Sequence, residues 1–409
     1  MTTLTAPTPS LRADTSTISA VSIAHGLSHF CQLLVPPLFP WLAAAFALSN
    51  TELGLLMTVF FVVSCGGQAL AGFVVDHYGA RRVLFGGIAC LALAALGLAA
   101  SQNYAMLLAC MALAGVGNCV FHPVDFSIIN ARVSTRRLGH AYAAHGISGN
   151  VGWALAPIFV VGITQFSSWR VALVAAAAVI AAVLVMLVVF RDSLLVKPHP
   201  LAAEKSETLA GSLDFLRLPA VWYCFAFFFT FAVALGGVQT FAPAAAGQLH
   251  DVPAAQVAIC LSAYMFAAAA GMVYGGHLLR DPQRCARVAA LGFGMAAVVA
   301  LLIGFGSWPS MFVPMLFALM GLGAGIAGPS RDLLVKQATP EGATGRVYGV
   351  VYSGLDVGMS LAPALFGALM DAGQYRGVWV GVAIAQGLLI VNAFNVKRRW
   401  RNPTLAAAS

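Results

Sequence analysis

Four histidines stand inside long apolar runs, where nothing about hydrophobic packing calls for an ionisable ring. His25 and His29 are four positions apart, so they share one face of a helix, with Gln32 about one turn further on. His122 is followed three positions later by Asp125, and His145 five positions later by Asn150. Asp356 is the carboxylate expected nearest the middle of its apolar run, and Gln239, like Tyr264, is a candidate for lining a pocket. Imidazole changes charge near neutral pH, and a carboxylate exchanges protons as well. The chemistry such a set offers is proton transfer, or the pairing of a protonated ring with an anion. The plainer reading gives each ring a hydrogen bond to a neighbouring backbone or hydroxyl group. For Asp125 it offers a structural pair with Arg132, Arg136 or Arg331. The His25/His29 spacing also has the form of a metal pair, but no Glu stands beside the first His as it does in a zincin helix, so no metal and no cofactor are expected.

The elements that must carry these groups follow from composition. Of the 409 residues, 60% are hydrophobic and only 9% charged, against about 25% charged in a globular domain. That excludes a soluble enzyme, a nucleic-acid binder and a disordered regulator. About 20 apolar residues cross the roughly 30 Å of a bilayer core. Runs of that size fall at 18–46, 51–75, 82–100, 104–129, 139–165 and 169–190, then at 219–247, 253–277, 287–306, 309–331, 346–370 and 377–396. The expected fold is therefore an all-α polytopic membrane protein of twelve transmembrane helices. A tail (1–17) leads into one half (18–190), a polar linker (191–218) into a second half (219–396), and a short tail (397–409) ends the chain. Of 22 lysines and arginines only Arg170 and Arg376 lie opposite the termini. This bias predicts cytoplasmic termini and linker, in a cell inner membrane. The net charge of +8 thus reports topology, not an acidic partner. The eight cysteines form no CxxC pair, and seven lie in apolar runs as small hydrophobes. The polar residues 1–17 contain no basic segment leading into a cleavable apolar one, so no secretory signal is expected.

An internal repeat runs at an offset of 206. Residues 139–159 align without gaps to 345–365, with seven of 21 positions identical, among them Gly152/Gly358 and Pro157/Pro363. The same offset pairs Gly115, Gly117 and Pro123 with Gly321, Gly323 and Pro329, and Asn150 with Asp356. The twelve helices thus read as two six-helix pseudo-repeats of parallel topology, which places a shared cavity between them. Pro36, Pro37 and Pro40 are expected to break the first span near its end remote from the termini.

After the second span the chain reads Gly72-Phe-Val-Val-Asp76-His77-Tyr-Gly79-Ala-Arg81-Arg82. This resembles the signature loop of the major facilitator superfamily, with His77 where a basic residue is usual. The counterpart after span eight, around Asp281 and Arg284, is degenerate. A narrower resemblance, to the fosmidomycin-resistance type of transporter, rests on three stretches. They are His25-Gly-Leu-Ser-His29-Phe-Cys-Gln32 with Pro40, Val120-Phe121-His122-Pro123, and Gly149-Asn150-Val-Gly152. His29 and Val124 stand where that type tends to have acidic residues.

The resemblance implies a secondary active transporter that works by alternating access. Gly72, Asp76, Gly79, Arg81 and Arg82 would latch the two halves, with Asp76 facing the start of span eleven. The expected mode is proton-coupled efflux, as an antiporter, of a small anionic or amphipathic compound. Proton-coupled uptake of a small organic anion or nutrient remains the alternative, and a non-transporting membrane sensor is the reading from another class. A metal-ion transporter using His25 and His29 stays a minor option. The expected partners are a small-molecule substrate, protons and the lipid bilayer, with no nucleic acid, and the chain is expected to be a monomer. No G-x-x-x-x-G-K-S/T loop occurs, so the energy source is expected to be an ion gradient and not ATP.

Overall fold

The computed structural model describes residues 11–196, 219–278, 284–338 and 344–401. Within the described residues there is no strand, and twelve spans are long and apolar enough to cross a membrane. In a bilayer core each backbone polar group needs an internal partner, and only helices or closed barrels provide that. The helices of the first half are α1 (Leu11–Gln32), α2 (Phe39–Phe46), α3 (Asn50–Tyr78), α4 (Ala80–Ala100), α5 (Tyr104–Asn118), α6 (Phe121–Arg132), α7 (Leu138–Phe166) and α8 (Trp169–Val189). Those of the second are α9 (Pro219–Thr240), α10 (Ala242–His250), α11 (Ala254–Leu278), α12 (Cys285–Phe305), α13 (Val313–Ala338), α14 (Thr344–Asp371) and α15 (Tyr375–Arg401).

Three spans are broken into two helices. The first turns at Leu33–Val35 and a 3-10 turn, Pro36–Leu38, before α2 resumes. Span four breaks at Cys119–Val120, one turn before Pro123, and span seven breaks at Phe241, just before Pro243. In each case a proline stands in the first turn of the new helix or of the 3-10 turn, where a missing N–H costs nothing. The first break follows from the prolines named above; the other two were not expected.

The offset of 206 carries over to three dimensions. Shifted by it, the starts of α7 and α8 fall on the starts of α14 and α15, and Pro36 falls on the start of α10. The packing obeys the same relation. Helix α1 lies on α7 as α9 lies on α14, and the halves meet where α3 packs on α14 and α7 on α11.

The expected boundaries shift at the ends. Helix α1 starts at Leu11, so residues 11–17 belong to the first helix. At the other end α15 continues through Arg401. Most of the expected linker, 197–218, lies outside the described residues, as do 402–409.

The halves are drawn together at the end remote from the termini. There Ser49 caps α3, its hydroxyl accepting from the Glu52 N–H at 3.2 Å. The Asp371 carboxylate, at the last residue of α14, accepts the Asn50 and Thr51 N–H groups at 2.7 and 2.8 Å and both side chains as well. The orphan donors of one half's helix are thus satisfied partly by a carboxylate from the other half.

Candidate functional site

Helix α1 carries His25 and His29 toward α7, and glycines on α7 set how close the two helices come. A Cβ on Gly152 would overlap the Gly26 carbonyl, and one on Gly149 would stand 2.7 Å from His29 Nδ1 and 3.1 Å from His25 Nε2. Because the obstacle at Gly152 is backbone, Gly152→Ala is expected to lower thermal stability in detergent by about 1–3 kcal/mol, an overpacking cost. An unchanged melting temperature would show that α1 and α7 have slack.

The break in span four restarts the chain as α6, with His122 in its first turn and Asp125 one turn on. Asp125 is fully buried, and its Oδ2 is shared: His25 Nδ1 lies 3.1 Å away and His145 Nε2 3.0 Å. The His25 and His145 rings stack at 3.5 Å between centroids, and His122 stands 5.3 Å from His25. His25 and His145 are buried whereas His122 is exposed, so the cluster is closed on the carboxylate side and open on the other. Asp125 Oδ1 and His29 Nδ1 are buried without a hydrogen-bond partner among the described residues.

A second chain of contacts continues from His29, whose ring stacks on Trp153 at 4.1 Å. The Trp153 indole donates to Gln32 Oε1 at 3.0 Å. Gln32 Nε2 in turn donates to Asn118 Oδ1 at 3.1 Å, and Asn118 Nδ2 to the Ser64 hydroxyl at 2.8 Å. Four elements of the first half thus hold one connected polar network: α1, α3, the α5/α6 break and α7.

Asp125 thus faces histidines, and the arginine pair that the plainer reading offered it is not found among the described residues. Arg132 donates instead to the Leu195 carbonyl at 3.1 Å, and the Arg331 side chain lies outside the described residues. Asp356 and Asn150 do not join the cluster. Asp356, on α14, faces Gln68 of α3 at 3.5 Å, at the contact between the halves. Asn150 donates to the Gly146 carbonyl at 3.1 Å and meets Met272 of α11 at 3.2 Å. Gln239 is buried beside the break in span seven and belongs to a separate cavity.

The nitrogens of His25, His122 and His145 lie within 4.8 Å of one another, a spacing that fits a metal ion by distance alone. Asp125 already occupies one nitrogen on each of the two buried rings. What the geometry offers directly is a proton shared among a carboxylate and several imidazoles.

A family model described as Major Facilitator Superfamily matches residues 21–350 and 255–408. The chain belongs to the Major Facilitator Superfamily. Its relatives in that superfamily are transporters and not enzymes. The chain is 31% identical over 163 residues to an uncharacterized MFS-type transporter, YfnC, of Bacillus subtilis (strain 168), covering 39% of this chain and 40% of that protein. It is 30% identical over 154 residues to the fosmidomycin resistance protein of Escherichia coli (strain K12), covering 37% of each. The aligned segments thus span about two fifths of the length of these curated relatives. A bacterial homolog of the human lysosomal transporter Spinster, solved in an inward-facing and unoccupied conformation, superposes with a TM-score of 0.76 at 15% identity, covering 96% of this chain and 98% of that one. At that identity the likeness concerns the fold.

In this superfamily chain the signature loop forms the tight turn between α3 and α4. Gly79 ends one helix and starts the next with φ of 84°, a backbone conformation that favours glycine. Gly72, Asp76 and Arg82 are exposed, and Arg81 Nη1 donates to the Arg191 carbonyl, at the start of the linker, at 3.4 Å. The side chains at the start of α14, where Asp76 is expected to act, lie outside the described residues.

Trp153, Asn118, Ser64 and Asp371 were not singled out from sequence. Trp153 follows Gly152 directly in a stretch already marked by its glycines, so that signal was present. For Asp371 an acid at the end of an apolar run reads like any loop residue.

Proposed function

We propose that the chain is a proton-coupled exporter of a small anionic or amphipathic compound, working by alternating access between its two halves. The observation that carries this reading is the buried Asp125 carboxylate shared by His25 and His145, beside an exposed His122. Buried ionisable groups in membrane spans mark ion and substrate pathways. Protonation of the cluster and occupation by an anion then compete for the same charge. A proton taken up on Asp125 cancels the carboxylate charge that His25 and His145 face, so the proton and the exported compound occupy the site in turn and not together.

The positive-inside bias orients the termini to the cytoplasm, so the end closed by Asp371 faces outward and the site opens inward. The histidine cluster and the signature loop both lie in the first half, with Asp76, Arg81 and Arg82 acting as the inner latch when the cycle turns. Similarity to a fosmidomycin resistance protein favours export over uptake. The test is a pair of vesicle preparations, inverted and right-side-out, with an imposed pH gradient and a panel of labelled organic anions. Uphill accumulation in inverted vesicles that collapses with a protonophore is the expected result. Accumulation only in right-side-out vesicles would reverse the direction, and accumulation indifferent to the protonophore would remove the coupling.

Gly149 offers a finer probe. Gly149→Ala sets a methyl group against the His29 ring, the far end of a side chain that can move. Proton-driven flux is expected to fall about tenfold, in line with the steep dependence of such transfers on geometry, while the melting temperature changes little. Equal flux would exclude His29 from the pathway.

A further inference from the structure

A second polar feature lies apart from the histidine network. At the end remote from the termini, the broken ends of spans one and seven enclose a cavity of about 360 Å³, which α3, α11 and the start of α15 complete. The two breaks are repeat equivalents, since Pro37 shifted by 206 is Pro243. Non-helical backbone at membrane depth is tolerated where it lines a cavity or is buried in protein, and paired broken helices are where transporter folds hold ligands.

The walls are mostly apolar, with Phe39, Trp41, Phe241 and Tyr375 among prolines, and none of the described lining residues is charged. Gln239 lines this cavity while only 1% exposed, and neither its amide oxygen nor its amide nitrogen has a hydrogen-bond partner among the described residues. Of the other polar lining groups, Thr240 donates to the Gly236 carbonyl and Asn50 to Asp371, while Gln248, Trp41 and Tyr375 also stand along the wall. A buried amide with both ends open is costly to leave unmatched. The fold does not need it, because the repeat-equivalent position in the first half is Leu33, also 1% exposed.

We infer that this cavity is a second ligand site, taking a small uncharged molecule with a flat apolar body and an adjacent hydrogen-bond donor and acceptor that pair with the Gln239 amide. A primary aryl amide has that form. The matching carboxylate does not, since it brings a charge into walls that offer none and has no donor for the Gln239 oxygen. The site lies between the halves, so a ligand there spans the surface that must part when the far end opens.

The test uses the full chain in lipid nanodiscs, with labelled benzamide, benzoate and toluene measured by equilibrium binding and no proton gradient. Because no flux is read, the result is independent of the proton-coupling proposal. Saturable benzamide binding is expected, weakened about tenfold by Gln239→Leu, the side chain the other half uses at the same depth. Toluene binding is expected to be the same in both proteins, and benzoate is expected not to displace benzamide. Gln239→Met, closer in shape, guards against a folding defect in the leucine variant, with melting temperature as the control. No saturable benzamide binding by the wild type at millimolar concentration would overturn the inference. So would unchanged benzamide affinity in a folded Gln239 variant, or competition by benzoate as strong as by benzamide itself.

Discussion

Asp125→Asn is expected to reduce pH-gradient-driven transport by about a hundredfold or more, the range by which positioned proton carriers act, while the twelve-span bundle still folds. Asparagine keeps the shape of the side chain and an oxygen that can accept from His25 or His145, so the stacked rings retain a partner. What is lost is the ability to take and release a proton at the one atom both rings share. Asp125→Ala tests a different quantity. It leaves two buried histidines without their acceptor, and breaking a buried pair on one side costs about 3–5 kcal/mol. The alanine variant is therefore expected to melt earlier and express poorly, whereas the asparagine variant keeps its stability and loses coupling. The comparison is decided in proteoliposomes by following acidification alongside labelled anion flux. Asparagine variants that move anion against a gradient at wild-type rates would show that Asp125 is a packing group.

The sequence made the scaffold legible because a bilayer leaves little choice: long apolar runs must be helices, and their number fixes the topology. The repeat was legible too, since Gly152 and Gly358 serve the same close approach in their two halves, against α1 and α9 respectively. For His25 and His29, four-residue spacing was enough to place them together. Depth along a span, however, says nothing about which way a side chain points. Depth alone left Asp125 open to a structural pair with Arg132, Arg136 or Arg331 beside its reading as a site residue. The break at Cys119–Val120 instead restarts the helix so that Asp125 turns inward to α1 and α7. Asn150 and Asp356 are equivalent in the repeat, yet one faces α11 and the other α3, because each half presents that position to the other. Such rotations come from helix packing across a hundred residues or more, which no local pattern encodes.

Removing the carboxylate that joins the halves at the end remote from the termini is expected to tilt the conformational balance. Asp371 accepts four hydrogen bonds from the first turn of α3, two from backbone N–H groups and two from side chains, and all of them cross between the halves. The site is exposed, so water competes for each bond and the ion–dipole gain is screened. The net loss in Asp371→Ala is therefore about 1–2 kcal/mol, close to one charge-assisted hydrogen bond. That converts to about a tenfold shift from the state closed at that end toward the one open there. Asp371→Asn keeps one acceptor and should fall between. Because these bonds exist only when α3 and α14 touch, they stabilise one state and not the other, which a ligand or contact must do to move an equilibrium at all. Spin labels placed at the start of α3 and the end of α14 would read the change as a second, longer distance gaining population in the alanine variant. A single unchanged distance distribution would mean that the close packing of Gly54 on the Pro363 carbonyl, and of Gly367 on that of Asn50, closes this end without help from the carboxylate.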